Sequence, residues 1–267
     1  MDPQRYRGKA IVVTGGTRGI GLETALTFAR FGASAYVTCF MGSADERAVA
    51  ARFESIGAVP PVIVRCNAGD PEETRALIER IGRDFERIEA WIANVSVAQL
   101  VKGFDAYRRR SLLQSIEMSA WPMIDALQAT RAVLGAYPRY VVGLSSVGAE
   151  RYVHNYDFMA ASKSVMEILC KYATCRLAGE DVRINIVRAG IVDSSSLRLT
   201  FGEAFVDWAR EFGITDQFLS PAEVAETIYG LCSGFMDAVR GEVIRVDKGA
   251  AFFDPFMRKY SDMQRAF

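Results

Sequence analysis

A glycine-rich run near the start of the chain limits its possible folds more than any other feature. Residues 9–14 (KAIVVT) form an apolar, β-branched segment typical of a buried strand, and residues 21–31 have helical periodicity. The loop between them contains Gly15, Gly19 and Gly21. In this order the glycines allow a tight turn, a close approach of the backbone to a pyrophosphate, and close packing of helix on strand. Because free N–H groups at the helix start attract phosphate, the run predicts a dinucleotide-binding turn in an α/β sheet.

Apolar, β-branched runs alternate with helical segments along the whole chain. The alternation predicts a Rossmann-type, doubly wound parallel sheet of seven strands with helices on both faces. The runs do not alternate between apolar and polar residues, because both faces of such strands are buried. The predicted strands are residues 9–14, 35–38, 62–65, 89–93, 140–144, 182–187 and 242–246. The predicted helices include residues 21–31, 45–56, 72–85 and 155–178, the third with Asp70 as its N-cap.

The domain organisation is predicted to be simple. The sequence has no internal repeat, no low-complexity stretch and no linker rich in Pro, Gly or Ser. We therefore expect a single dinucleotide-binding domain over residues 1–267. Only residues from about 195 to 220 break the alternation, and we expect them to form a lid over a substrate.

Charge and cysteine content exclude several classes of protein. Lys plus Arg and Asp plus Glu number 32 each, so nothing favours broad binding to nucleic acid or to an anionic membrane. The start of the chain is polar and no apolar run approaches the roughly 20 residues that span a bilayer, which predicts a cytoplasmic protein. The five cysteines are scattered, and the single histidine, His154, rules out a multi-histidine metal site. We expect no bound metal.

The spacing T-G-x-x-x-G-x-G of residues 14–21 resembles the short-chain dehydrogenase/reductase family, and the likeness covers essentially the whole chain. Asn185 and residues 246–249 (VDKG) also fall where that family keeps similar residues. Departures are residues 93–96 (ANVS), where the family usually has Asn-Asn-Ala-Gly, and Ala189, which replaces a common Pro. The resemblance implies a nicotinamide-dinucleotide oxidoreductase. The cofactor-binding residues it implies are Gly15, Thr17, Arg18, Gly19, Ile20, Gly21, Phe40, Asn67, Ala68, Asn94, Lys163, Gly190, Val192 and Ser194.

The end of the second predicted strand bears on the choice of cofactor. An acidic residue there would bond the adenosine ribose hydroxyls and repel a 2′-phosphate. Residues 39–43 (CFMGS) contain no acid. Arg18 in the glycine loop is positioned to pair with a 2′-phosphate through a charge-assisted bond, unless it is only a solvated loop cation. The sequence therefore favours NADP(H).

The long helix after the fifth strand carries an altered catalytic motif. Most members of the family have Tyr-x-x-x-Lys there, but the residue four before Lys163 is Met159, whose thioether cannot donate a proton. Tyr156 lies seven residues before Lys163. This Tyr-x6-Lys spacing resembles the enoyl-acyl-carrier-protein reductases, as do residues 148–151 (GAER). With Arg18, the pair at residues 145–146 (SS) looks most like the NADPH-dependent type III enzymes.

The shifted spacing has a physical rationale. Residues seven apart on a helix are separated by about 10 Å of rise, against about 6 Å for residues four apart. An enoyl thioester accepts hydride at Cβ, while charge appears on an oxygen two carbons away, so an acid moved along the helix suits that oxygen. The resemblance implies that Tyr156 bonds this oxygen and that Lys163 bonds the nicotinamide ribose. Ser146 is a third catalytic candidate, and Ser119 stands where ketone-reducing members keep a catalytic Asn.

Several residues are candidates for the substrate wall. Tyr152 is either close to the substrate or a packed loop aromatic. Phe201 and Phe205 begin a stripe at helical spacing, continued by Trp208 and Phe212, that is typical of a core-facing surface and would also line an apolar acyl pocket. The predicted substrate-contacting residues are Ser96, Ser146, Tyr152, Tyr156, Phe201 and Phe205.

These observations lead to a first hypothesis and two alternatives. The first is NADPH-dependent reduction of the C2=C3 double bond of an enoyl thioester, in fatty-acid or polyketide-type biosynthesis. A carbonyl reductase of the 3-ketoacyl type is the alternative, and Met159 counts against it. A non-catalytic cofactor-binding homologue is the third. The thioester would be carried by coenzyme A or an acyl carrier protein, for which Lys102 and residues 108–110 (RRR) form a dock unless they are a solvated turn. The resemblance also implies a homodimer or homotetramer.

Overall fold

The computed structural model describes residues 2, 4–40, 42, 45–97, 99–252, 254, 257, 261, 263 and 264. The strands in this part of the chain are β1 (Ala10–Val13), β2 (Ser34–Cys39), β3 (Val62–Arg65), β4 (Ile88–Ala93), β5 (Tyr140–Ser146), β6 (Arg183–Ala189) and β7 (Val243–Val246). The α-helices are α1 (Gly19–Arg30), α2 (Glu46–Glu54), α3 (Pro71–Ile81), α4 (Arg109–Ser119), α5 (Pro122–Leu134), α6 (Asp157–Arg176), α7 (Ser195–Phe201), α8 (Glu203–Glu211) and α9 (Pro221–Cys232).

The seven strands form one parallel sheet in the order β3-β2-β1-β4-β5-β6-β7. The strand order reverses between β1 and β4, which is the point where open α/β sheets form a crevice outside the carboxyl ends of their strands. The predicted doubly wound, Rossmann-type sheet is therefore confirmed.

Two apolar cores, one on each face of the sheet, hold the helices. Successive strand residues point to opposite faces, so Ile11 and Val13 belong to one core and Ala10 and Val12 to the other. The first core contains apolar residues of α1, α2 and α9, and the second those of α3, α5 and α6. Burial on both faces explains why the strands are mostly apolar and do not alternate between apolar and polar residues.

Helix starts follow the local chemistry of the chain. The Asp70 carboxylate accepts hydrogen bonds from the backbone N–H groups of Glu72 and Glu73, as its predicted role as an N-cap requires. The long helix was expected to begin at Asn155, but α6 begins two residues later. Asn155 has a φ of 59°, and this left-handed conformation cannot continue into a right-handed helix.

The predicted lid is built from α7, α8 and a 3-10 turn (Thr215–Gln217). The prediction that aromatic residues of this segment form one core-facing stripe is wrong. Gly202, with a φ of 83°, separates α7 from α8 and so interrupts the helical spacing. α8 then buries Val206 and Ala209, while Trp208 and Phe212 remain 45% and 48% exposed. Within the described residues, no helix is both long and apolar enough to cross a membrane.

Candidate active site

The glycine loop between β1 and α1 has the geometry that its sequence predicts. Gly15 and Gly19 have φ values of 63° and 56°, which other residues adopt only with strain. A Cβ on Gly21 would lie 2.4 Å from the Gly15 carbonyl oxygen, so only glycine allows this close packing. A Cβ on Gly19 would meet nothing within 4 Å, so this side of the loop is open to a ligand.

Asn94, which directly follows β4, holds the glycine loop in place through hydrogen bonds. Its side-chain amide donates hydrogen bonds to the carbonyl oxygens of Thr14 (2.8 Å) and Gly15 (3.2 Å). The Thr14 hydroxyl in turn accepts a bond from the Asn94 backbone N–H at 3.0 Å. Asn94 therefore has a structural task in shaping the loop, while its predicted contact with a cofactor stays a prediction.

The start of α1 has the properties of an anion site. Arg18 occupies its N-cap position and makes no side-chain capping bond, whereas Asp45 and Asp70 cap α2 and α3. The first backbone N–H groups of α1 thus lack a capping side chain and are suited to a pyrophosphate. Arg18 is exposed and forms no ion pair among the described residues, while Ile20 packs against the core and Thr17 is half-buried.

A cavity of about 440 Å³ lies beside the ends of β2 and β3. Phe40 and Arg65 line it, and the Arg65 guanidinium carbon lies 5.7 Å from the centre of the Phe40 ring. The turn after β3 contains Asn67, whose side chain accepts a bond from the Gly69 N–H, and the buried Ala68. Arg65 is not among the predicted site residues, because it lies next to Phe40 only through the pairing of β2 with β3. Met41 and Ser43 of the acid-free segment lie outside the described residues.

Tyr156 is held at the N-terminal end of α6 by the segment that follows β5. It is the N-cap residue of α6, and its side chain interacts with that of Ser146 at the end of β5. Burial raises the pKa of Tyr156, and the bond from Ser146 acts in the opposite direction. A Cβ on Gly148 would lie 2.6 Å from the Tyr156 ring. The Tyr156 ring therefore packs against the backbone of Gly148. The only sign of this contact in the sequence is that Gly148 belongs to the GAER segment of residues 148–151.

Lys163 lies two turns further along α6 and is 3% exposed. Burial lowers the pKa of its ammonium to about 8, and the charge of Glu167 acts in the opposite direction. Its Nζ has no hydrogen-bond partner among the described residues. Met159 is buried between the two, at the position where a ketone-type motif would have its tyrosine.

Two serines join the loop after β4 to helix α4. The buried Ser119 hydroxyl accepts a bond from the Val97 backbone N–H at 3.1 Å and from the Ser96 hydroxyl at 3.4 Å. Tyr152, by contrast, is 79% exposed and its hydroxyl lies 3.2 Å from Nδ1 of His154. The structure thus shows Tyr152 as an exposed loop aromatic, and its contact with a substrate stays a prediction.

A row of aromatic rings runs from Tyr156 into the lid. The ring of Phe201 stacks on that of Tyr156 with centroids 6.5 Å apart, and Phe205 lies 5.3 Å from Phe201. Phe205 also stacks on Phe218, at 6.3 Å. Although the lid stripe does not face the core, its first two residues therefore provide an apolar wall beside Tyr156.

The segment after β6 connects the sheet to the lid. The Gly190 N–H donates to the Val246 carbonyl oxygen at 2.8 Å, and Val192 pairs with Leu219. The Ser194 side chain accepts a bond from the Leu197 N–H and so caps α7. Among the described residues, no group of His, Cys, Asp and Glu could hold a metal ion.

Comparisons with known proteins agree with this geometry. A family model described as "Enoyl-(Acyl carrier protein) reductase" matches residues 15–251. The 1-cyclohexenylcarbonyl-CoA reductase of Streptomyces collinus is 25% identical over 256 residues, covering 93% of this chain and 89% of the relative. The enoyl-[acyl-carrier-protein] reductase [NADH] FabI of Aquifex aeolicus is 23% identical over 258 residues, covering 94% of each protein.

A solved structure supports the same fold. A short-chain dehydrogenase from Burkholderia cenocepacia, in complex with NADP, has a TM-score of 0.80 at 24% identity and covers 92% of this chain and 99% of that one. At this identity the likeness shows the fold alone. The family match extends over most of the chain, from the glycine loop to the segment beyond β7. The protein is therefore an oxidoreductase of the short-chain dehydrogenase/reductase family, in the group described by the enoyl-(acyl carrier protein) reductase model.

Proposed function

We propose that this protein reduces the C2=C3 double bond of an enoyl thioester with NADPH. The observation that carries the proposal is the arrangement at α6, where Tyr156 lies two turns before the buried Lys163 and its side chain interacts with Ser146 at the end of β5. The position one turn before Lys163 holds Met159, which cannot protonate a ketone oxygen. The acid is therefore displaced along the helix, as the distance from Cβ to the thioester oxygen demands.

The residues of the chain would divide the chemistry as follows. The bound cofactor supplies the hydride that adds to Cβ of the substrate. The Tyr156 hydroxyl donates a hydrogen bond to the thioester oxygen and stabilises the enolate charge that develops there. Burial keeps Tyr156 protonated and thus able to donate. The enolate then takes a proton at Cα from solvent, which completes the saturated thioester.

Lys163 has an electrostatic and a binding task in this proposal. With a pKa of about 8, its ammonium stays mostly protonated at neutral pH. The charge favours the negative charge that develops on the thioester oxygen, and the N–H groups bind the hydroxyls of the nicotinamide ribose. Phe201 and Phe205 cover the same end of α6 and provide an apolar wall for the acyl group.

NADPH is proposed rather than NADH because of Arg18 and the acid-free end of β2. Arg18 is exposed and unpaired among the described residues, which leaves it available to a 2′-phosphate. The name of the Aquifex relative specifies NADH, so the cofactor needs its own test. We expect kcat/KM to be higher with NADPH than with NADH, and Arg18→Ala to lower only the value for NADPH.

The substrate is proposed to be an acyl thioester used in fatty-acid or polyketide-type biosynthesis. Two relatives support this class, because their names specify a coenzyme A ester and an acyl-carrier-protein ester. The aromatic wall of Phe201 and Phe205 suits an apolar acyl group. Parallel assays with the same acyl group on coenzyme A and on an acyl carrier protein would identify the carrier through their kcat/KM values.

The decisive experiment offers the purified protein a trans-2-enoyl thioester and a 3-ketoacyl thioester in parallel and follows NADPH consumption. We expect turnover of the enoyl substrate alone, with kcat reduced about a hundredfold in Tyr156→Phe. Tyr172→Phe, which changes an exposed tyrosine on the same helix, is the matched control and should leave kcat unaltered. Turnover of the ketone alone would contradict the proposal and favour a carbonyl reductase.

A further inference from the structure

Arg188, an arginine of β6 that is largely shielded from solvent, uses all three nitrogens of its guanidinium group in hydrogen bonds to α6 and to the segment after β5. Nε and Nη2 of Arg188 donate to the two carboxylate oxygens of Glu167, at 2.9 and 2.6 Å, and Nη1 donates to Glu150 at 2.6 Å. The Ser145 hydroxyl also donates to Glu167, at 2.5 Å. The Arg188 and Glu167 side chains are only 15% and 11% exposed, so water screens this pair weakly.

Glu167 is one helical turn from Lys163. Residues four apart on a helix lie on the same face, where a carboxylate and an ammonium ordinarily form an ion pair. The charge of Glu167 does act on the Lys163 ammonium, but Nζ makes no hydrogen bond to it among the described contacts. The carboxylate oxygens are instead occupied by Arg188 and Ser145.

We propose that Arg188 is a positioning residue that keeps Glu167 from capturing Lys163. Because the fork of the guanidinium matches both carboxylate oxygens, it holds Glu167 toward β6 and leaves the ammonium for the cofactor ribose. The inference rests on the proposed function in one respect, that Lys163 binds the cofactor. Nη1 of Arg188 is bonded to Glu150, and this bond connects the segment after Ser146 to the pair formed by Arg188 and Glu167.

The type of residue supports this task. The buried side chains of β6 are otherwise uncharged, and Arg188 stands just before Ala189 where the strand reaches the site. A lysine would supply one ammonium in place of two parallel N–H donors and would leave part of the carboxylate unpaired. Removing a charged side chain from water is unfavourable unless the charge is paired. Arg188 and Glu167 pair with each other.

The test is a double-mutant cycle read out by NADPH binding, which requires no substrate. Wild type, Arg188→Met, Glu167→Gln and the double variant are titrated with NADPH, and the dissociation constant is measured by cofactor fluorescence. We expect binding to weaken at least about tenfold in Arg188→Met, because Lys163 is then drawn to Glu167. The double variant should return to within about threefold of wild type, because the neutral amide introduced by Glu167→Gln cannot capture the ammonium as a carboxylate does.

A matched control separates positioning from a general loss of charge. Arg245→Met removes the second arginine bonded to Glu150 without touching Glu167, and its dissociation constant should equal that of wild type. Arg188→Lys, which preserves the buried charge if Arg188→Met does not fold, should weaken binding and be restored by Glu167→Gln. A double variant as weak as Arg188→Met, or unchanged binding in both Arg188 variants, would overturn the inference alone. No NADPH binding by wild type would overturn the proposed function together with it.

Discussion

Lys163 is buried at a cost to stability that the fold itself does not require. Its pKa of about 8 lies below the ordinary value of 10.5, because burial disfavours the ammonium. Below about pH 8 the folded protein therefore carries the full penalty of a buried charge. In the proposed function Lys163 binds the cofactor, so that function and stability are in conflict at this residue.

We predict that Lys163→Met stabilises the protein at pH 7 by about 3 kcal/mol while abolishing turnover. Between the folded pKa of about 8 and the unfolded value of 10.5 the unfolded chain binds more protons, so wild-type stability rises with pH there. The difference between the two proteins should thus narrow above pH 8. Denaturant titrations at both ends of this range measure it, and a less stable variant at pH 7 would refute the prediction.

Gly148 provides a second test at the scale of one residue. A methyl group there would lie 2.6 Å from the Tyr156 ring, so Gly148→Ala must displace the ring and its hydroxyl from Ser146. We expect kcat for the enoyl thioester to fall at least about tenfold, with the NADPH dissociation constant little changed. Gly179→Ala, whose added methyl meets nothing within 4 Å, is the control. Equal kcat values in the two variants would show that Tyr156 does not depend on this contact.

Among the elements, α9 contains a glycine that neither a turn nor close packing requires. Gly230 lies within the helix, and an added Cβ would meet nothing within 4 Å. Alanine has the higher helix propensity, so Gly230→Ala should raise the free energy of unfolding by about 0.5–1 kcal/mol. A thermal melt monitored by circular dichroism measures the change. A lower melting temperature would mean that a methyl group at this position clashes with neighbouring atoms.

Comparison of the predicted and observed strands and helices shows which of their bounds the sequence determines locally. Strands were predictable to within two residues because burial on both faces leaves an apolar run that is visible locally. The start of α6 and the break in the lid were not, because each depends on one backbone angle, at Asn155 and at Gly202. Neither the pattern of apolar residues nor their spacing encodes such an angle.

Some parts of the candidate site could likewise be predicted from the sequence and others could not. The glycine loop could be identified because its parts are consecutive in the chain, and the Tyr156 to Lys163 spacing because both residues lie along one helix. The interaction of Ser146 with Tyr156 and the pairing of Arg188 with Glu167 join different elements. These contacts depend on how β5, β6 and α6 pack, so single-sequence patterns could not reveal them.

On the scale of the whole molecule, one apolar surface lies on the helix that carries the site. Ile168 and Tyr172 are 49% and 66% exposed and lie one turn apart on α6, and Leu113 on the neighbouring α4 is 45% exposed. Side chains of this kind are commonly covered by another protein surface. The family resemblance implies a homodimer or homotetramer formed through the long helices, and this surface is where we place the contact.

We therefore predict that Ile168→Glu lowers the molar mass in solution, measured by light scattering, because a charge buried between copies lacks a partner. Val59→Glu, which changes an 80% exposed residue in the loop between α2 and β3, should leave the mass unchanged. Because α6 also carries Tyr156 and Lys163, loss of the partner would expose one side of the helix on which the proposed function depends. The smaller species should consequently have a reduced kcat, and an unchanged mass would exclude this surface as the interface.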